Sequence, residues 1–202
     1  MIPDSNASYS TKQYWDERYQ KDETPFDWFL GYEQLKPLLS NLVNKSDKIL
    51  MVGCGNSLLS EKMYEDGFEN IVNVDFSGLV IQQMAERTKK CKKMQWLEMD
   101  ARKMSFADAE FDIVIDKGTL DAVLTEQKSV WEVEPELEQQ INLMLSEISR
   151  VLKPNNSKFI YITFGQKHFR QKLLDKPDFK WNFDFQQLGD TFHYFVYVCS
   201  RQ

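Results

Sequence analysis

Lys48-Ile49-Leu50-Met51-Val52-Gly53-Cys54-Gly55-Asn56-Ser57 is the stretch on which the fold turns. KILMV is a short apolar run that stops at Gly-Cys-Gly. Residues 56–66 then read as a helix that closes on Gly67, a C′ glycine. Strand, glycine turn and helix in that order open a doubly wound α/β sheet. The glycines let the chain turn tightly and approach a ligand.

Moving outward, NIVNVD (70–75), MQWLEMD (94–100), FDIVIDK (111–117) and residues 158–164 read as further strands. Residues 77–90 read as a helix capped by Ser77. Residues 135–152 place Leu137, Ile141, Met144, Leu145, Ile148, Val151 and Leu152 at helical spacing and stop before Pro154. FDFQQL (183–188) and FHYFVYVC (192–199) read as an antiparallel pair. Upstream, residues 11–19 form a short helix with Thr11 as N-cap, and residues 32–42 a second one that contains Pro37. Residues 1–10 read as a polar tail, 11–45 as an aromatic lid with its helices, and 11–202 as one domain. Strands alternating with helices imply an α/β, Rossmann-like, mostly parallel sheet with helices on both faces.

Composition narrows the function classes. In 202 residues, 42% are hydrophobic and 13% aromatic, enough for a core and against disorder. The formal net charge of −6 leaves no obvious basic face for nucleic acid, and it favours a cationic partner. The basic run 87–93 reads as a solvated helix end. Three cysteines far apart suggest neither a disulfide framework nor a zinc site. No apolar run approaches the ~20 residues of a membrane span. A cytoplasmic monomer without metal is the expectation.

Ligands on such sheets bind at the carboxyl ends of the strands, and the distinctive residues stand there. Gly53 and Gly55 follow strand one. Asp75 ends strand two, where a carboxylate can accept both ribose hydroxyls of an adenosine; helix capping is the alternative. The third position of GxGxxG, which a pyrophosphate-bound helix keeps as glycine, is Leu58. S-adenosylmethionine has no pyrophosphate and suits the loop better than a nicotinamide dinucleotide. Asp100 and Ala101 follow strand three, where an acid and a backbone N–H can hold the adenine edge, with Phe76 on its face or in the core. Asp116, Lys117 and Asp121 follow strand four, the tip that would face sulfonium and acceptor; for each, a surface ion pair is the alternative. No Asn-Pro-Pro-Tyr or Asp-Pro-Pro-Tyr occurs there, which disfavours planar amide or adenine acceptors. Tyr14, Trp15, Tyr19, Phe26, Trp28 and Phe29 are either a core face or a water-excluding lid with cation–π capacity.

YWDERY (14–19), FDWF (26–29), ILMVGCGNSLLSEKMYEDGF (49–68), NVDFS (73–77), MDARKMSF (99–106), FDIVIDKGTLDA (111–122), SEISRVLKP (146–154), HFR (168–170) and FHYFVYV (192–198) together resemble a known family. It is the methyltransferase-like enzymes that modify translation elongation factor 1-alpha on lysine. The resemblance runs from about Tyr14 to the C-terminus. It implies a seven-stranded class I sheet and S-adenosylmethionine as cofactor, with S-adenosylhomocysteine as product. Its contacts would be Trp15, Tyr19 and Trp28 in the lid, Gly53, Asp75, Phe76, Asp100, Ala101 and Lys117. Elongation factor 1-alpha would be the partner. One departure is Asn155-Asn156, where many class I enzymes carry Gly-Gly; asparagine tolerates positive φ, so the turn can survive.

A lysine amine, with a pKa of about 10.4 in water, must lose a proton before it attacks a methyl group. Asp116 or Asp121 is expected to orient it. Two other functions stay open on sequence: a small-molecule methyltransferase and a cofactor-binding scaffold without turnover.

Overall fold

In the computed structural model, which describes residues 3–127, 133–189 and 192–202, seven strands join one sheet in the order β3-β2-β1-β4-β5-β7-β6. Strands β1 (Ile49–Val52), β2 (Ile71–Asp75), β3 (Gln95–Glu98), β4 (Ile113–Lys117) and β5 (Lys158–Thr163) run parallel. Strand β7 (Tyr194–Arg201) pairs antiparallel with β5 and with β6 (Trp181–Leu188). The Rossmann-like expectation, with its C-terminal antiparallel pair, holds.

The inner strands are apolar apart from Asn73 and the residues at their ends, because both faces are covered. Leu50, Val52, Val72, Val74 and Val114 point to one face. They share a core with Ile141, Met144, Leu145 and Ile148 of α6 (Pro135–Val151). Ile49, Met51, Ile71, Ile113 and Ile115 point to the other, against Leu35 and Leu39 of α2 (Tyr32–Leu42) and Met63 of α3 (Leu59–Glu65). Pro37 inside α2 removes an amide that would have met the Glu33 carbonyl, at a cost of about 3 kcal/mol. Tyr32, Leu35, Leu38 and Leu39 are all buried. At roughly 1.5–3 kcal/mol for each buried side chain, packing outweighs the break and the helix continues.

Local caps fall where the residues indicate. Thr11 accepts from the Tyr14 amide at the start of α1 (Lys12–Lys21), and Ser77 from the Val80 amide at the start of α4 (Gly78–Arg87). Gly67, at φ +95°, ends α3: its N–H donates to Tyr64 O and that of Phe68 to Met63 O, which is a Schellman motif. Asn155 and Asn156 adopt φ +61° and +67°, so the left-handed turn after α6 survives without glycine. The basic helix end is solvated and paired outward, Arg87 with Glu61 and Lys89 with Glu86.

Three features depart from the sequence reading. Residues 6–10 are not a plain tail but a 3-10 turn (Asn6–Ser10) whose Tyr9 ring meets Trp28 edge-on at 5.6 Å. The helix expected from residue 56 starts at Leu59, because the glycine turn extends through Ser57. Two short helices add to the expected set, α5 (Thr119–Leu124) directly after β4 and α7 (Lys167–Leu174) after β5. Among the described residues, no helix is long and apolar enough to cross a membrane.

Candidate active site

A cavity of about 380 Å³ lies over the carboxyl tips of β1 to β4, roofed by the N-terminal segment. The glycine turn forms its floor. Gly53 sits at φ +58°, and a Cβ there would lie 2.0 Å from Thr119 Oγ1. That hydroxyl is fixed, because it donates to Val52 O at 2.9 Å. Gly55, at φ +49°, would drive a Cβ to 2.9 Å from the Tyr19 hydroxyl. Only glycine fits either position, and the backbone is left bare toward the cavity.

Asp75 is 6% exposed. Its carboxylate accepts the Gly55 amide at 2.9 Å on one oxygen and the Ser77 amide at 2.9 Å on the other. Burial pushes its pKa up to about 6 against those two donors. The helix-capping alternative does not describe it, because neither amide belongs to α4, whose cap is Ser77. Each carboxylate oxygen still keeps a lone pair for a ligand hydroxyl. Asp100, after β3, is gripped by Arg102 through its amide, Nε and Nη2 at 2.6–3.1 Å. That grip holds the Asp100 carboxyl below the usual range. Phe76, Asp100 and Ala101 all line the cavity.

The roof is an aromatic stack. Trp15 stacks on Tyr19 at 5.7 Å with the rings inclined by 28°, and its indole N–H donates to Tyr9 O at 2.6 Å. Trp28 meets Trp15 edge-on at 6.3 Å. The Arg18 guanidinium lies 5.1–5.7 Å from the centres of Trp15, Phe26 and Trp28. Polar contacts hold this lid down. Ser57 Oγ donates to Asp27, Asn56 Nδ2 donates to Thr24 O, and Lys117 Nζ reaches both Asp27 at 3.0 Å and Trp28 O at 3.0 Å.

All nine residues expected at the cofactor line this cavity: Trp15, Tyr19, Trp28, Gly53, Asp75, Phe76, Asp100, Ala101 and Lys117. The Lys117 ammonium is engaged by the lid, through Asp27 and Trp28 O. Burial lowers its pKa, partly offset by Asp27. The two carboxylates proposed at the β4 tip separate sharply. Asp116 is fully buried, stands outside the cavity wall, and accepts the Thr119 and Leu120 amides that start α5. Burial, then the neighbouring Asp121, pushes its pKa up to about 8. Asp116 is a structural cap and cannot reach an acceptor. Asp121 does line the cavity. Its Oδ1 accepts Thr163 Oγ1 at 2.6 Å and Arg170 Nη2 at 2.8 Å, while its buried Oδ2 has no partner among the described residues. Cys54 also lines the cavity, and burial raises its pKa, so it is a neutral thiol at pH 7 and no nucleophile.

Asp27, Arg170 and the 3-10 turn escaped the sequence reading as site elements. FDWF and HFR carried the first two, yet their partners lie far along the chain.

Residues 50–160 match the family model of the methyltransferase domain. This chain belongs to that family. The methyltransferase is 35% identical over 202 residues to EEF1A lysine methyltransferase 4 of Bos taurus, covering 99% of this chain and 79% of that one. It is 37% identical over 176 residues to the eEF1A lysine and N-terminal methyltransferase of Mus musculus, covering 86% of this chain and 24% of that longer protein. Among solved structures, a SAM-dependent methyltransferase from Aquifex aeolicus superposes with a TM-score of 0.65 at 14% identity, covering 93% of this chain and 98% of that one. A Pyrococcus horikoshii OT3 protein does so with a TM-score of 0.65 at 24% identity, covering 92% and 99%. These two likenesses speak for the fold alone.

The enzyme uses S-adenosylmethionine, and the residues fit that cofactor. The glycine cradle excludes side chains, Asp75 and Asp100 are acceptors on neighbouring strand tips, and the aromatic roof suits a sulfonium.

Proposed function

We propose that this methyltransferase acts on a protein lysine, and that the protein is translation elongation factor 1-alpha. The observation that carries the reading is the match over nearly the whole chain to a relative named as an EEF1A lysine methyltransferase. The site chemistry supports it. When bound, S-adenosylmethionine supplies a methyl group on a positively charged sulfur.

The chain's own residues do the rest. Gly53, Gly55 and Asp75 would hold the adenosyl portion, with Asp100 and Ala101 at its base edge. The stack of Tyr9, Trp15, Tyr19 and Trp28 excludes water, which favours an uncharged amine over an ammonium in the same space. Asp121, on the cavity wall, orients the amine, while Thr163 and Arg170 hold its carboxylate through Oδ1. Alignment of donor and acceptor is the protein's main contribution. The acidic chain, at −6, attracts a basic substrate surface. The enzyme works as a monomer in the cytoplasm, without nucleic acid or membrane.

The test is incubation of the purified enzyme with radiolabelled S-adenosylmethionine and purified elongation factor 1-alpha, followed by mass spectrometry of the labelled band. Label on a lysine side chain is expected. Label only in small molecules from a cell extract would replace this reading with a small-molecule acceptor, and cofactor binding without any transfer would replace it with a scaffold role.

A further inference from the structure

An aromatic ridge leaves the cavity and runs over the surface. Phe164 is 50% exposed and Phe192 60% exposed. They are linked ring to ring: Phe164 to Phe29 at 5.5 Å, Phe29 to Tyr194 at 6.0 Å, and Tyr194 to Phe192 at 5.0 Å. Phe29 and Phe164 are cavity walls, so the ridge starts at the rim and ends beyond it, where β7 begins. Large apolar side chains left exposed in a row forgo part of their burial energy, and such patches mark interaction sites.

The occupant follows from reach. A lysine side chain spans about 6 Å from backbone to nitrogen. A protein chain that presents its amine inside the cavity must therefore cross the rim and lie against whatever borders it. Successive steps of 5.0–6.0 Å carry the ridge past the rim by a distance covered by about four extended residues.

We propose that the ridge Phe164–Phe29–Tyr194–Phe192 is the docking surface for the substrate protein, and that it seats an apolar side chain within about four residues of the acceptor lysine. This rests on the protein-lysine reading above. Net charge brings a basic partner near, and that attraction weakens with salt. The ridge supplies contact that salt does not screen, so it selects the segment rather than the partner's overall charge.

Phe192 tests the idea, because it lies outside the cavity and is mostly exposed. With purified elongation factor 1-alpha as substrate, Phe192→Ser is expected to raise KM about tenfold, as truncation of an anchoring aromatic does. The effect should persist at high salt. The kcat, the melting temperature and the affinity for S-adenosylhomocysteine should stay at wild-type values, and Phe192→Tyr should restore KM. A KM within twofold of wild type in Phe192→Ser overturns the docking surface and leaves the lysine reading standing. A wild-type enzyme that does not methylate the factor overturns the lysine reading, and this inference with it.

Discussion

The Lys117 ammonium and the Asp27 carboxylate meet at 3.0 Å beneath the aromatic lid, with 6% and 21% of their side chains exposed. One comes from the tip of β4, the other from the link between α1 and α2. Their contact closes the roof over the cavity, and the Trp28 carbonyl completes the coordination of the ammonium.

Breaking that pair from one side leaves a buried charge uncompensated. Asp27→Ala is expected to lower stability by about 3 kcal/mol, the low end for a buried pair because Asp27 is partly wet. It should also weaken S-adenosylhomocysteine binding, since the lid loses its anchor. Replacing both partners, Asp27→Leu with Lys117→Met, removes the desolvation penalty and should recover most of the stability. Urea titrations of the single and double variants form the cycle. Additive losses would show that the pair does not hold the lid.

Asp75, if it accepts the ribose hydroxyls as proposed, is expected to give cofactor binding a pH dependence whose sign follows from its raised pKa. Burial raises its pKa to about 6 in the free protein. Two ribose hydroxyls donating to it would favour the ionised form, so binding releases a proton below that pH. The dissociation constant for S-adenosylhomocysteine should be flat from pH 7 to 8. It should rise toward about tenfold per pH unit below 6. Calorimetry across this range reads it directly, and Asp75→Asn should bind more weakly with no slope. A wild-type affinity unchanged from pH 7 to 5 would remove Asp75 from the ribose.

Much of this architecture is legible in the residues because it is built from local pattern. Parallel inner strands are buried on both faces, so KILMV and NIVNVD stand out as apolar runs. Helix α6 shows its spacing, and the Asn155-Asn156 turn its tolerance of positive φ. The unread parts depend on partners far along the chain. Asp27 and Lys117 lie ninety positions apart, and nothing beside either one signals the pair. Helix α5 begins without a capping side chain at its N-cap glycine, because its amides are taken by Asp116 on β4. Asp116 and Asp121 look alike as acids near one strand tip. Only packing sends one beneath the helix and the other to the cavity wall.

Asp116 makes the fold itself sensitive to pH. Its folded pKa, about 8, lies above the ordinary carboxyl value. Between those two values the folded state keeps a proton that the unfolded chain has lost. Stability from this group is thus fully present below about pH 4 and falls as pH rises through 8. Between pH 6 and 8, above the titration of Asp75, the contribution declines by at most about 1.4 kcal/mol per pH unit. Asp116→Asn cannot ionise and should flatten this slope. It should also lower stability at pH 6 by about 1–3 kcal/mol, because an amide nitrogen cannot accept the Leu120 or Thr119 N–H. Urea titrations at pH 6, 7 and 8 compare the two proteins. Parallel curves would place the proton elsewhere.

Asp121 should separate chemistry from stability. Its Oδ1 is consumed by Thr163 and Arg170, and Arg170 also donates to the Tyr161 hydroxyl at 3.1 Å, so the carboxylate is rigidly placed. Oδ2 is buried and has no partner among the described residues, so it can meet an amine only once substrate entry opens a path to it. Asp121→Asn keeps one acceptor oxygen but loses the negative charge opposite the amine. It should reduce kcat by about two orders of magnitude, near 2.7 kcal/mol in the barrier, with S-adenosylhomocysteine affinity unchanged. The Arg170 pair is weakened as well, so the assay belongs well below the variant's melting temperature. Thr163→Val is the comparison: it removes one donor from Oδ1, leaves Oδ2 and the charge in place, and should lose stability while retaining most of kcat. Equal loss of kcat in both variants would mean that Asp121 serves only the buried network. Retained kcat in folded Asp121→Asn would mean that the amine is oriented by something else.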